Sequence, residues 1–480
     1  MPLALTLALS CVFPFLGVAA QSTGLYAVGI VAPAVVVFRV RAVPSHLGAT
    51  LVRIGMCFLA IWALFPLANV LGYFAQVPTD VSDAFERVWP EALGKPLTSR
   101  MSSAWVVSGL ALVVFGVLAR GRAARSVAVD EMHTHGSPRS LRAFLASLTL
   151  LTVVWAALLA FQHLTGVAFH GRASKLLPEH LMAGGVYRAF GFYGHPLSTA
   201  SVGLGLFSFF WFLTWTALAA EVRAREPGVP RSPFSLSPNL PAWASVLVYA
   251  SGSCAALLAV VMSGGRTALA FALAFSLFLP FMVKLEGRFA RVRLVGTLAA
   301  FGGGVTVVAL SGIVDRLRHV VEAATRGDFE NRVRFWQVYV RMISDAPAFG
   351  HGHYWIENGL RTAYYDASGL ADLNEKFNAH NLYLEALANV GIIGTAAALV
   401  LVVAGLRILR SLSIGAATQG PAFIFRALCA ALGANFLHAL TQNVYFDTNV
   451  LIPYLVIIWG YVWLAVTQAP FARTDPRHIE

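Results

Sequence analysis

Long apolar runs set the organisation of this chain. They fall near 3–20, 23–39, 47–74, 104–119, 142–168, 196–220, 241–262, 266–283, 294–312, 381–406, 421–443 and 450–467. A run of about 20 apolar residues spans a bilayer as a helix, so the pattern predicts about twelve transmembrane helices. The connections alternate in character. "RVRAVPSH", "RGRAARSVAV", "VRAREPGVPR" and "KLEGRFARVR" are basic, as are Arg407, Arg410, Arg473 and Arg477. Lys and Arg concentrate in cytoplasmic loops, which puts these connections and both termini inside. The alternate connections, 75–103, 169–195, the turn around 263–266, 313–380 and 444–449, then lie outside. The longest of them, 313–380, has many charges and no spanning run, and reads as an external cap. Within it "RLRHVVEAATR" and "NRVRFWQVYVRMI" have apolar residues at three- and four-residue spacings, which predicts amphipathic helices.

Composition agrees with a polytopic all-α membrane protein forming one integral domain over 1–480. Hydrophobic residues make up 58% of the chain and charged residues 12%, with a mean hydropathy of +0.69. The net charge of +12 follows from basic cytoplasmic loops and does not call for a nucleic-acid partner. The four cysteines, Cys11, Cys57, Cys254 and Cys429, sit in apolar runs without a CxxC pair, so neither a disulfide framework nor a thiolate metal site is expected. The first run lacks the basic start of a signal peptide and reads as a first transmembrane helix.

Polar residues at the predicted outer side narrow the chemistry, because charges in or beside spans are costly. Arg266 follows Gly264 and Gly265 in a short turn and opens a helix, a position that favours anions, although an arginine there can also snorkel to the interface. Arg332 and Arg334 lie on the cap helix; alone, they read as a solvated face with Trp336 in the headgroup region. Arg188 precedes another helix start. His380 ends the cap and opens a helix beside Asn381. Either residue can serve as an N-terminal cap, and a neutral imidazole at such a boundary also suits a general base. Gly391 and Gly394, one turn apart, predict close helix–helix packing beneath His380. His351 and His353 lack a third nearby ligand and read as part of a glycine turn rather than a zinc site. Asp315, Asp328 and Asp345 make no compact DxD pair.

Three patterns together resemble a known family. His380-Asn381, nine residues, then Gly391-Ile392-Ile393-Gly394-Thr395 is similar to the His-Asn…GxxGT motif of the O-antigen ligase/polymerase superfamily. Ser263-Gly264-Gly265-Arg266-Thr267-Ala268 resembles its outer-turn S-x-x-R-x-A. Arg332, Trp336, Pro347, Gly350 and Gly352 follow its third pattern in order, and the likeness covers about 186–447. The resemblance implies a GT-C-like membrane glycosyltransferase of the bacterial inner membrane, with its active site on the periplasmic face. It implies metal-independent, inverting transfer without a cofactor. The donor would be an undecaprenyl-diphosphate-linked glycan, and the acceptor lipid A-core or a growing glycan. His380 would activate the acceptor hydroxyl, and Arg266 and Arg332 would hold the diphosphate, with Arg188 and Arg334 in support. His195 departs from the usual pattern, and His438, Gln442 and Asp447 read either as acceptor-site or as helix-end residues. Ligation to lipid A-core, polymerisation on the carrier and, in another class, lipid transport are the competing readings.

Overall fold

The computed structural model describes residues 45–73, 75, 77–86, 106, 109–120, 138–167, 182–183, 186–191, 195–224, 243–283, 289–310, 328–370, 378–414, 420–442, 458 and 461. Nine of the twelve predicted spans coincide with helices there; the runs at 3–20, 23–39 and 450–467 lie wholly or largely outside the described residues. Among the described residues five helices are long and apolar enough to cross a membrane: Gly48–Gly72, Ala143–Thr165, Pro196–Val222, Trp243–Ser263 and Leu382–Leu412. Gly109–Arg120, Arg266–Met282 and Ala422–His438 are shorter. The described residues are all-helical as expected, apart from one antiparallel hairpin pairing Met182 with Tyr187 and Ala183 with Val186.

The helix Pro196–Ala224 is the centre of the bundle. Of its apolar window 89% is buried, against 11% for Leu382–Leu412 at the periphery. It begins with Pro at the first position, where the missing N–H costs no hydrogen bond. Its Phe207, Phe209, Phe210 and Trp215 pack with Trp155 and Tyr249 in the main core. Hydroxyls inside these helices are satisfied locally: Thr149, Thr152, Thr214, Thr216 and Ser253 each donate to the carbonyl four residues back. Such bonds remove the cost of a bare polar group in hydrocarbon.

The cap has a core of its own. Phe335, Val338, Tyr339 and Met342 from the helix Asp328–Asp345 pack on Ile356, Leu360, Tyr364 and Tyr365, and Val81, Ala379 and Ala388 complete the cluster. The cap helix over "NRVRFWQVYVRMI" forms as the periodicity predicts, whereas "RLRHVVEAATR" lies outside the described residues. Asn69, near the end of the helix Ser45–Tyr73, anchors the cap: the Tyr354 N–H donates to its Oδ1 (2.9 Å) and Trp355 Nε1 to its carbonyl (2.7 Å). An exposed ion pair of Arg341 with Asp80 (2.7 Å) adds little, since water screens it.

A backbone seam joins the two cores. The helix Leu382–Ile414 breaks at Gly391 (φ 67°, ψ −175°). Into that break fits the turn at the end of the cap helix. Ile392 N–H donates to Pro347 O (2.8 Å) and Ile393 N–H to Ala348 O (3.1 Å), while His351 and Gly352 N–H donate to Ala388 O (2.8 Å) and Asn389 O (2.9 Å). The expected helix–helix packing role of Gly391 is thereby corrected. Its missing side chain admits the cap turn, since a Cβ would lie 2.3 Å from Ala348 O. Gly394 stays helical, and the space a Cβ would need is filled by the Val390 side chain (2.7 Å). The Thr395 hydroxyl is buried nearby without a hydrogen bond.

The two cap histidines are also structural. His351 is 0% exposed, with Nε2 against Met342 O (2.9 Å) and the Tyr364 hydroxyl (3.3 Å). Tyr364 in turn donates to Asp345 (2.8 Å). Burial holds the imidazoles of His351 and His353 below their usual value, despite hydrogen bonds and nearby carboxylates that pull the other way. A histidine with a lowered folded pKa stabilises fully above its unfolded value, about pH 6.5, and that stability is lost as pH falls below it. Acidification from pH 7 to 5 should therefore lower the melting temperature of the detergent-solubilised protein, and His351→Gln should flatten that slope. A melting temperature independent of pH over this range would contradict the assignment.

Candidate functional site

Arg266 is the first residue of the helix Arg266–Phe278, and its position is set by the two glycines before it. Gly264 has φ +65°, and a Cβ on Gly265 would lie 2.4 Å from Ala200 Cβ on the central helix. Only glycine lets the turn pass so close while pointing the helix N-terminus away from the core. Arg266 is exposed at this N-terminus.

Arg188 reaches the same turn from the other side. The short hairpin ends at Tyr187, and the next residue's Nε donates to Ser263 O (3.1 Å). Its neighbours are tied down as well, with Ala189 N–H on Met262 O (2.9 Å). Phe190 and Gly191 N–H donate to Gln162 Oε1 (3.0 and 2.6 Å). Gln162 is fully buried and was not among the sequence candidates; its signal is a lone amide in the run "AALLAFQHLTG".

His438 links this turn to the histidine loop. Its buried ring places Nε2 3.1 Å from Thr267 Oγ1, the residue after Arg266, and Nδ1 3.4 Å from Ser201 Oγ. Ser201 gives its hydroxyl proton to Leu197 O (3.0 Å), which leaves it an acceptor toward Nδ1–H and makes Thr267 the donor to Nε2. The residue after His438 closes the circuit: Ala439 O accepts the Leu382 N–H (2.9 Å). His195 has a different task, capping the central helix by accepting the Leu197 N–H on Nδ1 (3.1 Å).

His380 stands at the junction. Among the described residues it is the one non-glycine with positive φ, +47°. A left-handed conformation costs a non-glycine residue about 1–3 kcal/mol and persists where surrounding contacts impose it. Here they do. Asn381 caps the following helix, its Oδ1 accepting from Tyr383 N–H (3.0 Å) and Leu384 N–H (3.2 Å), a cap that stabilises by roughly 1 kcal/mol. Tyr383 donates to Phe436 O (2.6 Å), fixing the helix start against Gly420–His438. Before His380, Ala379 is held at both its amide and its carbonyl. Its N–H donates to the buried Glu385 carboxylate (3.0 Å), and its carbonyl accepts from Trp336 Nε1 (2.9 Å).

Trp336 is therefore not simply a headgroup anchor; it ties the cap helix to the histidine loop. Arg332, four residues earlier, lies on the same helix face, whereas Arg334 is turned well away from Trp336 by the 3.6-residue period. The contacts bring Arg188, Arg266 and His380 to one end of the bundle, with the cap helix that carries Arg332 and Trp336 beside it. Gln442 is buried just beyond His438, and Asp447 lies outside the described residues. Among the described residues, no three or more His, Cys, Asp or Glu side chains gather as a metal-binding group.

The arrangement offers an imidazole presented in a forced backbone conformation, an exposed guanidinium at a helix N-terminus, and a second guanidinium pinned to the same turn. Guanidinium groups and helix N-termini bind phosphate oxygens. None of the curated proteins matches the chain. A protein-family model described as O-antigen ligase matches residues 252–399, a stretch that contains Arg266, the described part of the cap, His380 and the GxxGT sequence. Over this segment the chain, a helical membrane protein, is similar to the O-antigen ligase family.

Proposed function

We propose that this protein is a glycosyltransferase that moves a glycan from undecaprenyl diphosphate to a sugar hydroxyl of lipid A-core at the periplasmic face. His380 takes the proton of the acceptor hydroxyl as its oxygen attacks the anomeric carbon. The bond from that carbon to the diphosphate breaks, and the configuration inverts. Arg266 and Arg332 hold the departing diphosphate and stabilise its growing charge, with Arg188 and Arg334 in support. Such preorganised charge is often the largest contribution to catalysis. The chemistry asked of these residues needs neither metal nor cofactor.

The observation that carries the reading is the circuit Arg188–Ser263, Thr267–His438 and Ala439–Leu382, which draws residues far apart in sequence to one place. The test is reconstitution of the purified protein in liposomes with carrier-linked glycan and lipid A-core. Glycan-bearing lipid A-core is the expected product. Lengthened carrier-linked chains would instead assign polymerisation, and movement of donor across the bilayer without product would assign transport.

A further inference from the structure

The backbone that leads into His380 is gripped by charged groups taken out of water. Arg361 and Glu385 are 6% and 7% exposed. Arg361 Nη1 donates to Glu357 Oε1 (3.0 Å) and to Asn378 Oδ1 (2.5 Å). Glu385 accepts the Ala379 N–H (3.0 Å), and Trp336 donates to the Ala379 carbonyl (2.9 Å). The two residues before His380 are thus fixed from three elements: the helix Arg361–Ala367, the cap helix and the first turn of the histidine helix.

Burial opposes the Arg361 charge, yet Tyr339, Glu357 and Glu385 outweigh it and hold the guanidinium above its ordinary range. Buried opposite charges with hydrogen bonds to spare are weak sources of stability but strong sources of geometric definition when each is paired. Here the defined element is a peptide adjoining a left-handed histidine. A carboxylate is a stronger acceptor for a backbone N–H than a neutral group. The indole N–H on the Ala379 carbonyl holds the next plane, Ala379–His380, so two consecutive peptide planes leading into His380 are fixed.

We propose that Glu385, Arg361 and Trp336 are positioning residues that orient the Asn378–Ala379 backbone and thereby present the His380 imidazole to the acceptor. This rests on the reading of His380 given above. A misplacement of about 1 Å at a reacting group costs about 10²-fold in rate, so loosening this grip should act on kcat and leave donor KM nearly unchanged.

Two measurements on the full-length, reconstituted protein test it. The first is steady-state transfer by Glu385→Ala, Glu385→Gln and Trp336→Phe. Glu385→Ala should lower kcat about 10- to 100-fold, and Glu385→Gln, whose amide oxygen can still accept from Ala379, should recover part of that loss. The second is hydrogen exchange of peptides covering residues 378–384, which should be faster in Glu385→Ala than in Glu385→Gln. Unchanged kcat with unchanged exchange overturns the proposal, and so does a loss confined to donor KM. Should Glu385→Ala fail to reach the membrane, Trp336→Phe, which removes the hydrogen bond and keeps the ring, decides by the same two readouts. If His380→Ala retains turnover, the proposed base is wrong, while the exchange result still judges the grip on its own.

Discussion

His380→Ala is expected to reduce transfer by about 10²- to 10⁴-fold, the range that a positioned acid–base group contributes, while the protein still reaches the membrane. Insertion survives because the variant keeps Asn381 as the helix cap and the Leu382 N–H on Ala439 O. Alanine is no better suited than histidine to the left-handed backbone at this position, so the backbone strain is similar in both proteins. The comparison therefore isolates the imidazole. Carrier-linked donor should bind with near-normal affinity, since the arginines are untouched. The check is product formation in liposomes at saturating donor, with membrane content measured in parallel. Turnover within about threefold of the parent, far inside the range above, would remove His380 from the chemistry. The Arg266→Ala and Arg332→Ala proteins should instead show their largest defect in donor use, and a defect confined to the acceptor would contradict a diphosphate role.

The second large effect belongs to a residue with no chemistry of its own. Gly391→Ala places a methyl group at φ 67°, ψ −175°, a backbone region essentially restricted to glycine, which costs about 1–3 kcal/mol. It also drives that methyl to within 2.3 Å of Ala348 O, where backbone rather than a flexible side chain must yield. The four seam hydrogen bonds between Pro347–Gly352 and Ala388–Ile393 cannot all survive the shift. We expect loss of most transfer activity and increased proteolysis within the cap, with the long apolar helices still inserted. Gly405, in the same helix with open space around it, is the control: Gly405→Ala should leave activity and protease resistance unchanged. Equal behaviour of the two variants would show that the seam does not hold the cap.

For the nine runs within the described residues the sequence showed where the helices lie, because a long apolar stretch has little else to become. It also pointed to His380, Asn381 and Arg266, since a histidine–asparagine pair at a helix start and an arginine after two glycines carry local signals. What it could not show is who answers whom. Gly391 looked like a packing glycine, because the turn it receives lies about forty residues upstream and its backbone angles leave no mark in the letters. Gln162, Glu385 and His438 were visible as polar letters among apolar ones. Their partners, Gly191, Ala379 and Thr267, are set only by the tertiary arrangement. Trp336 illustrates the same limit: an aromatic beside arginines suggests an interface anchor, whereas its indole is spent on Ala379.

The fastening of His380 on its two sides has a mechanical consequence. Ala379 is bound to the cap through Trp336, and Leu382 to the bundle through Ala439. The seam at Gly391 and the Glu385 carboxylate on the Ala379 N–H hold the same parts together, so the three intervening peptide links are clamped at both ends. The imidazole is left to turn about its own side-chain bonds, while its backbone cannot follow without breaking one of these hydrogen bonds.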